Sequence, residues 1–384
     1  MFTLLIAVFD CCSLMRHVTR FTEEIFSALI SLLYIFSAFT SIARMYDVGG
    51  HSRATGFLAT MLAFGTYSVA MYLRSVKKST LFTPSIRSLL GDYGVTISIL
   101  VNCIVCYIFR EEVTVPMLEV PLTFRPTWTN PKTGKARDWL IDPMGINKDF
   151  PVWAIFASII PALGLTFLGY MDQNLTTLLV NRKDHKLQKP PAYHLDMLVC
   201  AVGVYPICAV LGLPFTHAAT VRSMAHVISL TTYDTVELQG GGTTTKVAHV
   251  HEQRVTNFVI HVLLALSIVC APALILIPKS VLLGIFIYMG FTSMVGVQLF
   301  DRIFLWSVWR ADKYPRYDYV LAVDYWRMHK YTIFQLVCMA VVFAMTQIDA
   351  LSIAFPFLIG ALVPVRMYIL PRMFTPEELA ILDS

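Results

Sequence analysis

The chain has 384 residues and a formal net charge of +5. Apolar residues make up 56% of it and charged residues 14%, against about 25% charged in soluble globular proteins, so a soluble multidomain fold is excluded. No basic tract interleaved with aromatics accompanies the positive charge, which excludes a nucleic-acid partner.

A membrane helix takes about 20 mainly apolar residues, so this length holds roughly ten or eleven spans. The fold class is all-α polytopic membrane protein, since a barrel would show dyad alternation instead of long apolar runs. A short apolar run fills 1–15. Longer runs follow at about 21–43, 56–73 and 93–109. A long loop at 111–150 carries Pro116, Pro121, Pro126, Pro131 and Pro143 and is expected to be ordered only in part. Further spans fall at about 152–180, 195–213, 255–277, 280–300, 331–348 and 351–370, with a weaker segment at 215–231. The stretch 301–330 mixes Trp306, Trp309, Tyr314, Tyr317, Tyr325 and Trp326 with basic residues, as an interfacial segment does. Cys11-Cys12 and Cys103-x-x-Cys106 lie inside apolar runs and read as buried thiols, not as a metal or redox motif.

Basic residues set the orientation. Arg16 and Arg20 form one cluster, and Arg74, Lys77, Lys78 and Arg87 the next. Arg182, Lys183, Lys186 and Lys189 follow, then Arg302, Arg310, Lys313, Arg316, Arg327 and Lys330. Lysine and arginine near span ends mark the cytoplasmic side. All four clusters fall on that side only if 215–231 counts as a crossing.

Two ionisable residues stand at membrane depth, where each costs roughly 2.5–3.5 kcal/mol. Asp172 lies well inside the 152–180 span, followed by Gln173, Asn174, Thr176 and Thr177. Asp172 and Thr176 are one helical turn apart on one face. That face suits a cation, a proton or a polar substrate; the simpler reading is an interhelical hydrogen-bond cluster. Arg222 lies in GLPFTHAATVRSMAHVISL. Gly212 and Pro214 end the preceding span, and the chain restarts with Ala218, Ala219 and Thr220. This pattern predicts a half-helix beginning near the midplane. Its free N–H groups and dipole place about half a positive charge at the break, Arg222 adds a full one, and together they suit an anion. The simpler reading is an arginine that snorkels to the interface. His226, one turn on, reads as a packed residue.

At these segments the sequence resembles the bicarbonate transporter family, the band 3-type anion exchangers and their sodium-coupled relatives. The resemblance rests on RFTEEIFSALISLLYIF, GDYGVTISIL, FPVWAIFASIIPAL, MDQNLTTLLVNRKDHKL, YHLDMLVC, GLPFTHAATVRSMAH, HEQRVTNF, LLGIFIYMGFTSMVGVQLFDR, WRMHKYTIFQLVC and AFPFLIGALVPVRMYILPRMF, in family order along the chain. It implies fourteen membrane segments in two inverted repeats, a core domain moving against a gate domain, and a substrate held between two half-helices. By motif match, Asp172 takes the family's acidic site position, with Thr176 one turn below it. Ala219, Thr220 and Arg222 lie on the broken tenth segment. The implied domains are 1–110, the remainder of the first repeat; 111–150, an extracellular loop; 151–372, the second repeat, with its broken helix at 215–231; and 373–384, the cytoplasmic end.

The resemblance implies exchange of chloride for bicarbonate in the plasma membrane by a homodimer. The sequence shows no Gly-rich phosphate loop, no metal-ligand cluster and no nucleophile with a plausible base, so no enzymatic activity, cofactor or metal is expected. Family exchangers usually pair a glutamate with the arginine, and sodium-coupled cotransporters an aspartate without it. This chain combines Asp172 with Arg222. The fixed positive charge favours a lone anion, and Asp172 leaves sodium-coupled bicarbonate transport as the alternative. The resemblance begins at the family's fourth segment, so on this reading the chain carries one half of the anion site. A truncated, non-transporting product is the third reading.

Overall fold

The computed structural model describes residues 1–47, 53–77, 79–122, 126, 129, 134, 136–142, 151–182, 185–238, 242–295, 297–308, 317–348, 351 and 355–383. Lys78, Pro131, Pro143, Lys183, Trp309, Arg310, Lys313, Tyr314 and Arg316, named above, lie outside the described residues. The chain is mostly helical and folds as two compact units. One comprises Met1–Phe26, Arg125–Thr256 and Arg302–Ser384, the other Ser27–Phe124 and Asn257–Asp301.

Among the described residues, five helices are long and apolar enough to cross a bilayer: Arg20–Tyr46, Arg53–Val76, Val152–Val180, Tyr193–Leu211 and Tyr325–Thr346. The number rises to seven if two bent helix pairs each count as one. This is fewer than the ten or eleven runs expected, because several runs are broken. The 1–15 run divides into α1 (Phe2–Val8) and a 3-10 turn (Cys11–His17), parted at Asp10, whose φ is 56°. The 93–109 run is the second arm of a pair, α4 (Pro84–Asp92) and α5 (Gly94–Ile108), bent by 68°. The 255–277 run splits into α11 (Val255–Leu266) and α12 (Ala271–Leu274).

The second unit is built on α3 (Arg53–Val76) and α13 (Lys279–Met294). Ala59, Ala63, Thr66 and Ala70 recur on one buried face of α3, and such small residues let helix backbones approach closely. Ala38, Ile42, Ala63, Leu283 and Ile287 form one core cluster; Leu58, Leu62, Cys106 and Val281 form another. The described start of the proline-rich loop is tied down here: Leu118 N–H donates to Ile277 O, Lys279 N–H to Pro116 O, and Lys279 Nζ to Glu119.

In the first unit, Phe21, Glu24 and Ile25 open α2 (Arg20–Asp47) and are buried. Arg302, expected in a cytoplasmic loop, is fully buried instead. Its guanidinium donates to Glu24 Oε2 at 2.8 Å and to Gln335 Oε1 at 2.5 Å, and lies over the Tyr331 ring at 5.3 Å. Gln335 and Tyr331 come from α16 (Tyr325–Thr346). The C-terminal helix Pro376–Leu382 starts with a full capping box between Thr375 and Glu378. Asp383 then accepts from Phe21 N–H at 2.7 Å, which satisfies an orphan donor at the start of α2, and from Arg366 Nε at 2.7 Å.

One element departs from the all-helical expectation. Residues Thr231–Leu238 (β1) and Gly242–Val250 (β2) pair as an antiparallel hairpin. The runs TTYDTVEL and TTTKVAHV are rich in β-branched residues, with the glycine-rich QGGG between them in the sequence, a composition that favours a hairpin over a helix.

Candidate functional site

The candidate site is built on α7 (Ile159–Val180) and α10 (Thr220–Ser229), both in the first unit. The chain reaches α10 through a sharp break. The preceding segment runs through α8 (Tyr193–Val199), a π turn and α9 (Tyr205–Leu211), and stops at Gly212, whose φ of 59° is left-handed. Glycine enters that region at no steric cost, and it closes the helix with Leu213 N–H donating to Cys208 O at 2.8 Å. The Arg137 guanidinium caps the same end, donating to Leu211 O and Gly212 O at 3.1 and 3.0 Å. Residues 213–219 are non-helical, and α10 starts at Thr220 with Ala219 as its N-cap. A break and a short helix lie within the 215–231 segment, the helix beginning five residues after the segment's start.

Thr176 and Thr220 are brought together, with their hydroxyl oxygens 2.7 Å apart. Thr176 also donates to the Asp172 carbonyl at 2.7 Å. Its single proton is therefore committed, and the Thr220 hydroxyl is the donor of the pair. Gln173 adds a second tie: its Oε1 accepts the Ala218 N–H at 3.2 Å. The N–H groups of Thr220, Val221 and Arg222 have no acceptor among the described residues, as the first turn of any helix dictates.

Arg222 is the third residue of α10 and is exposed. Among the described residues its guanidinium has neither a hydrogen bond nor an ion pair. The Asp172 carboxylate, half-buried on α7, likewise has none, so the two charges are not paired with each other. The structure thus assembles Thr176, Ala219 and Thr220 at one helix start. Asp172 joins them only through its carbonyl, and Arg222 stands free.

Sequence reasoning missed His217. Its imidazole Nδ1 lies 3.0 Å from the Tyr205 hydroxyl, and its ring meets Tyr205 and Phe215 edge-on. It rests against Gly169 on α7, where any Cβ would overlap the ring. His217 lies inside the GLPFTHAATVRSMAH motif, but nothing in the sequence marks its contact with Gly169, since the two residues are 48 positions apart. His226 hydrogen-bonds Thr256 at 2.8 Å, in keeping with a packed role.

The family model for the HCO3- transporter integral membrane domain matches residues 1–52 and 47–384. The chain belongs to the bicarbonate transporter family. The band 3 anion transport protein of Homo sapiens is 37% identical over 398 residues, covering 99% of this chain and 42% of its own length. Anion exchange protein 3 of Danio rerio is 37% identical over 397 residues, covering 97% of this chain and 33% of its own. Anion exchange protein 2 of Homo sapiens is 35% identical over 425 residues, covering 99% and 33%. The chain therefore spans less than half the length of these relatives. Like the bicarbonate transporters it matches, it is a multi-pass membrane protein, and the plasma membrane is its expected location.

Proposed function

We propose that this bicarbonate transporter domain carries small inorganic anions, exchanging chloride for bicarbonate by alternating access. The observation that carries the reading is the start of α10. Three backbone N–H groups there have no acceptor among the described residues, and Arg222, whose guanidinium has no partner among them, is the third residue of the same helix. Backbone donors and helix dipole favour an anion there, and Arg222 supplies the full charge. Thr176 and Thr220 hold that helix start to α7, and the Asp172 carboxylate shapes the local charge. The names of the relatives, which are anion exchangers, support the same reading. Two inverted repeats, a core domain working against a gate domain, and a homodimer belong to this proposal.

The test is Arg222→Gln in cells loaded with a chloride- or pH-sensitive dye. Anion-dependent flux is lost if the proposal holds; unchanged chloride uptake would sink it. One observation favours a second reading, sodium-coupled bicarbonate transport. Asp172 is a carboxylate at membrane depth without a cation partner among the described residues, one turn from the Thr176 hydroxyl. Recovery of cell pH in bicarbonate buffer separates the two, since only the second needs external sodium. Flux from the purified 384-residue chain in liposomes tests whether it transports by itself.

A further inference from the structure

We propose that the foot of the hairpin is a binding site for a divalent transition metal of the zinc and copper type, held by His249 and His251. The two Nε2 atoms are 3.2 Å apart, with ring centroids 4.5 Å apart and the rings at 77°. Both side chains are exposed.

The backbone brings them together. His249 and His251 are two residues apart along one extended segment, so they share a face. The ladder is irregular just before them: Thr232 pairs with His249, but Tyr233 pairs with Val247, which leaves Ala248 as an extra residue. Such a bulge re-aims the side chains beside it. His251 is pinned from behind, its N–H donating to Leu230 O at 3.0 Å.

The spacing is that of two ligands on one metal. With metal–nitrogen bonds of about 2.0–2.1 Å and tetrahedral angles, two imidazole nitrogens lie about 3.3–3.4 Å apart. Two neutral imidazoles at this distance share one Nε2–H; on metal binding that proton moves through water to Nδ1 of the same ring, so both rings bind through Nε2 as neutral imidazoles with a small rotation of each exposed ring. Imidazole nitrogen suits zinc, copper and nickel over magnesium or calcium, which prefer oxygen. The Thr232 hydroxyl, 3.3 Å from His251 Nε2, stands at the rim. Glu252 is engaged elsewhere, accepting from the Gln188 and Lys189 N–H groups and facing Lys189 Nζ. No group of three or more His, Cys, Asp or Glu side chains suited to a metal occurs among the described residues, so water completes the coordination. The site lies next to the C-terminal end of α10, because the Leu230 carbonyl bonded by His251 belongs to the residue that caps it. It is independent of the transport reading.

The experiment uses the full chain in detergent, purified on a tag without histidine. Cu2+ is titrated and read by electron paramagnetic resonance, with Zn2+ as competitor. The expected result is one copper per chain showing coupling to two nitrogens, displaced by Zn2+. His249→Ala and His251→Ala each weaken binding about tenfold or more, and the double variant abolishes it. Thermal unfolding without metal is unchanged in these surface variants; His251→Gln repeats the test at nearly constant size. The proposal is overturned if the double variant binds copper as tightly as the parent, or if the parent spectrum shows fewer than two nitrogens.

Discussion

The Thr220 hydroxyl donates to the Thr176 oxygen at 2.7 Å, and the Thr176 hydroxyl in turn donates to the Asp172 carbonyl at 2.7 Å. The start of α10 is thus tied to α7 by a directed relay of two hydroxyls. Thr220→Val keeps the shape and removes the donor. A typical hydrogen bond contributes about 0.5–1.5 kcal/mol, so thermal unfolding in detergent should shift downward by that amount and anion flux should fall. Thr220→Ser restores both. Equal stability and flux in the valine and serine variants would mean the relay does not hold the helix start.

Gly169→Ala tests the seat of His217. The added methyl overlaps the imidazole ring, so the non-helical run before α10 must shift. Overpacking of this kind costs about 1–3 kcal/mol. The expected outcome is reduced stability and flux, with most of the loss recovered when His217→Ala is combined with Gly169→Ala. Additive losses in that double-mutant cycle would show that the two residues do not meet.

Much of this arrangement was legible in the sequence. Asp172 interrupts an apolar run, and Gly212 with Pro214 announces the break, because charge and chain stops leave local marks. The break and a short helix are found there, with the helix starting at Thr220. Arg302 was not legible: an arginine after an apolar run reads as a loop residue, and only Glu24 and Gln335, far away in sequence, explain its burial. The same holds for Gly169 and His217. The hairpin was hidden for another reason: a polar β-branched segment leaves no long apolar run, which is the mark of a membrane span.

Arg302→Met should be among the more damaging changes outside the candidate site. It takes the guanidinium from the buried Glu24 carboxylate, which keeps the longer Arg20 contact at 3.9 Å and the Gln335 amide at 3.3 Å, and breaking one side of a buried ion pair costs up to about 3–5 kcal/mol. Combining Arg302→Met with Glu24→Gln should recover part of the loss, read by thermal unfolding or by surface expression. A double variant worse than the sum of the single ones would contradict this account.

The C-terminal helix should withstand acid. Glu378 is held down to about 2, first by hydrogen bonds from Arg327 and then by the Thr375 N–H. A carboxyl lowered in the folded state stabilises fully above its unfolded value of about 4.3, and that contribution fades as pH falls toward 2. Glu378→Gln removes it. The parent should outlast the variant in thermal unfolding at pH 7, with the gap narrowing between about pH 4.3 and 2. A gap that widens on acidification would reverse the sign of this linkage.

The brevity of α10 has a consequence for biogenesis. Ten residues span about 15 Å, half of a hydrocarbon core of about 30 Å. Carrying Arg222, the segment is too short and too polar to leave the translocon for lipid by itself. The proposed transport site puts it in the bilayer, so it would have to be received there by a surface already inserted, and α7, some 40 residues earlier in the chain, presents Gln173 and Thr176 for that. Defects in that pair should therefore show first as failed insertion or retention during synthesis, before any question of transport arises.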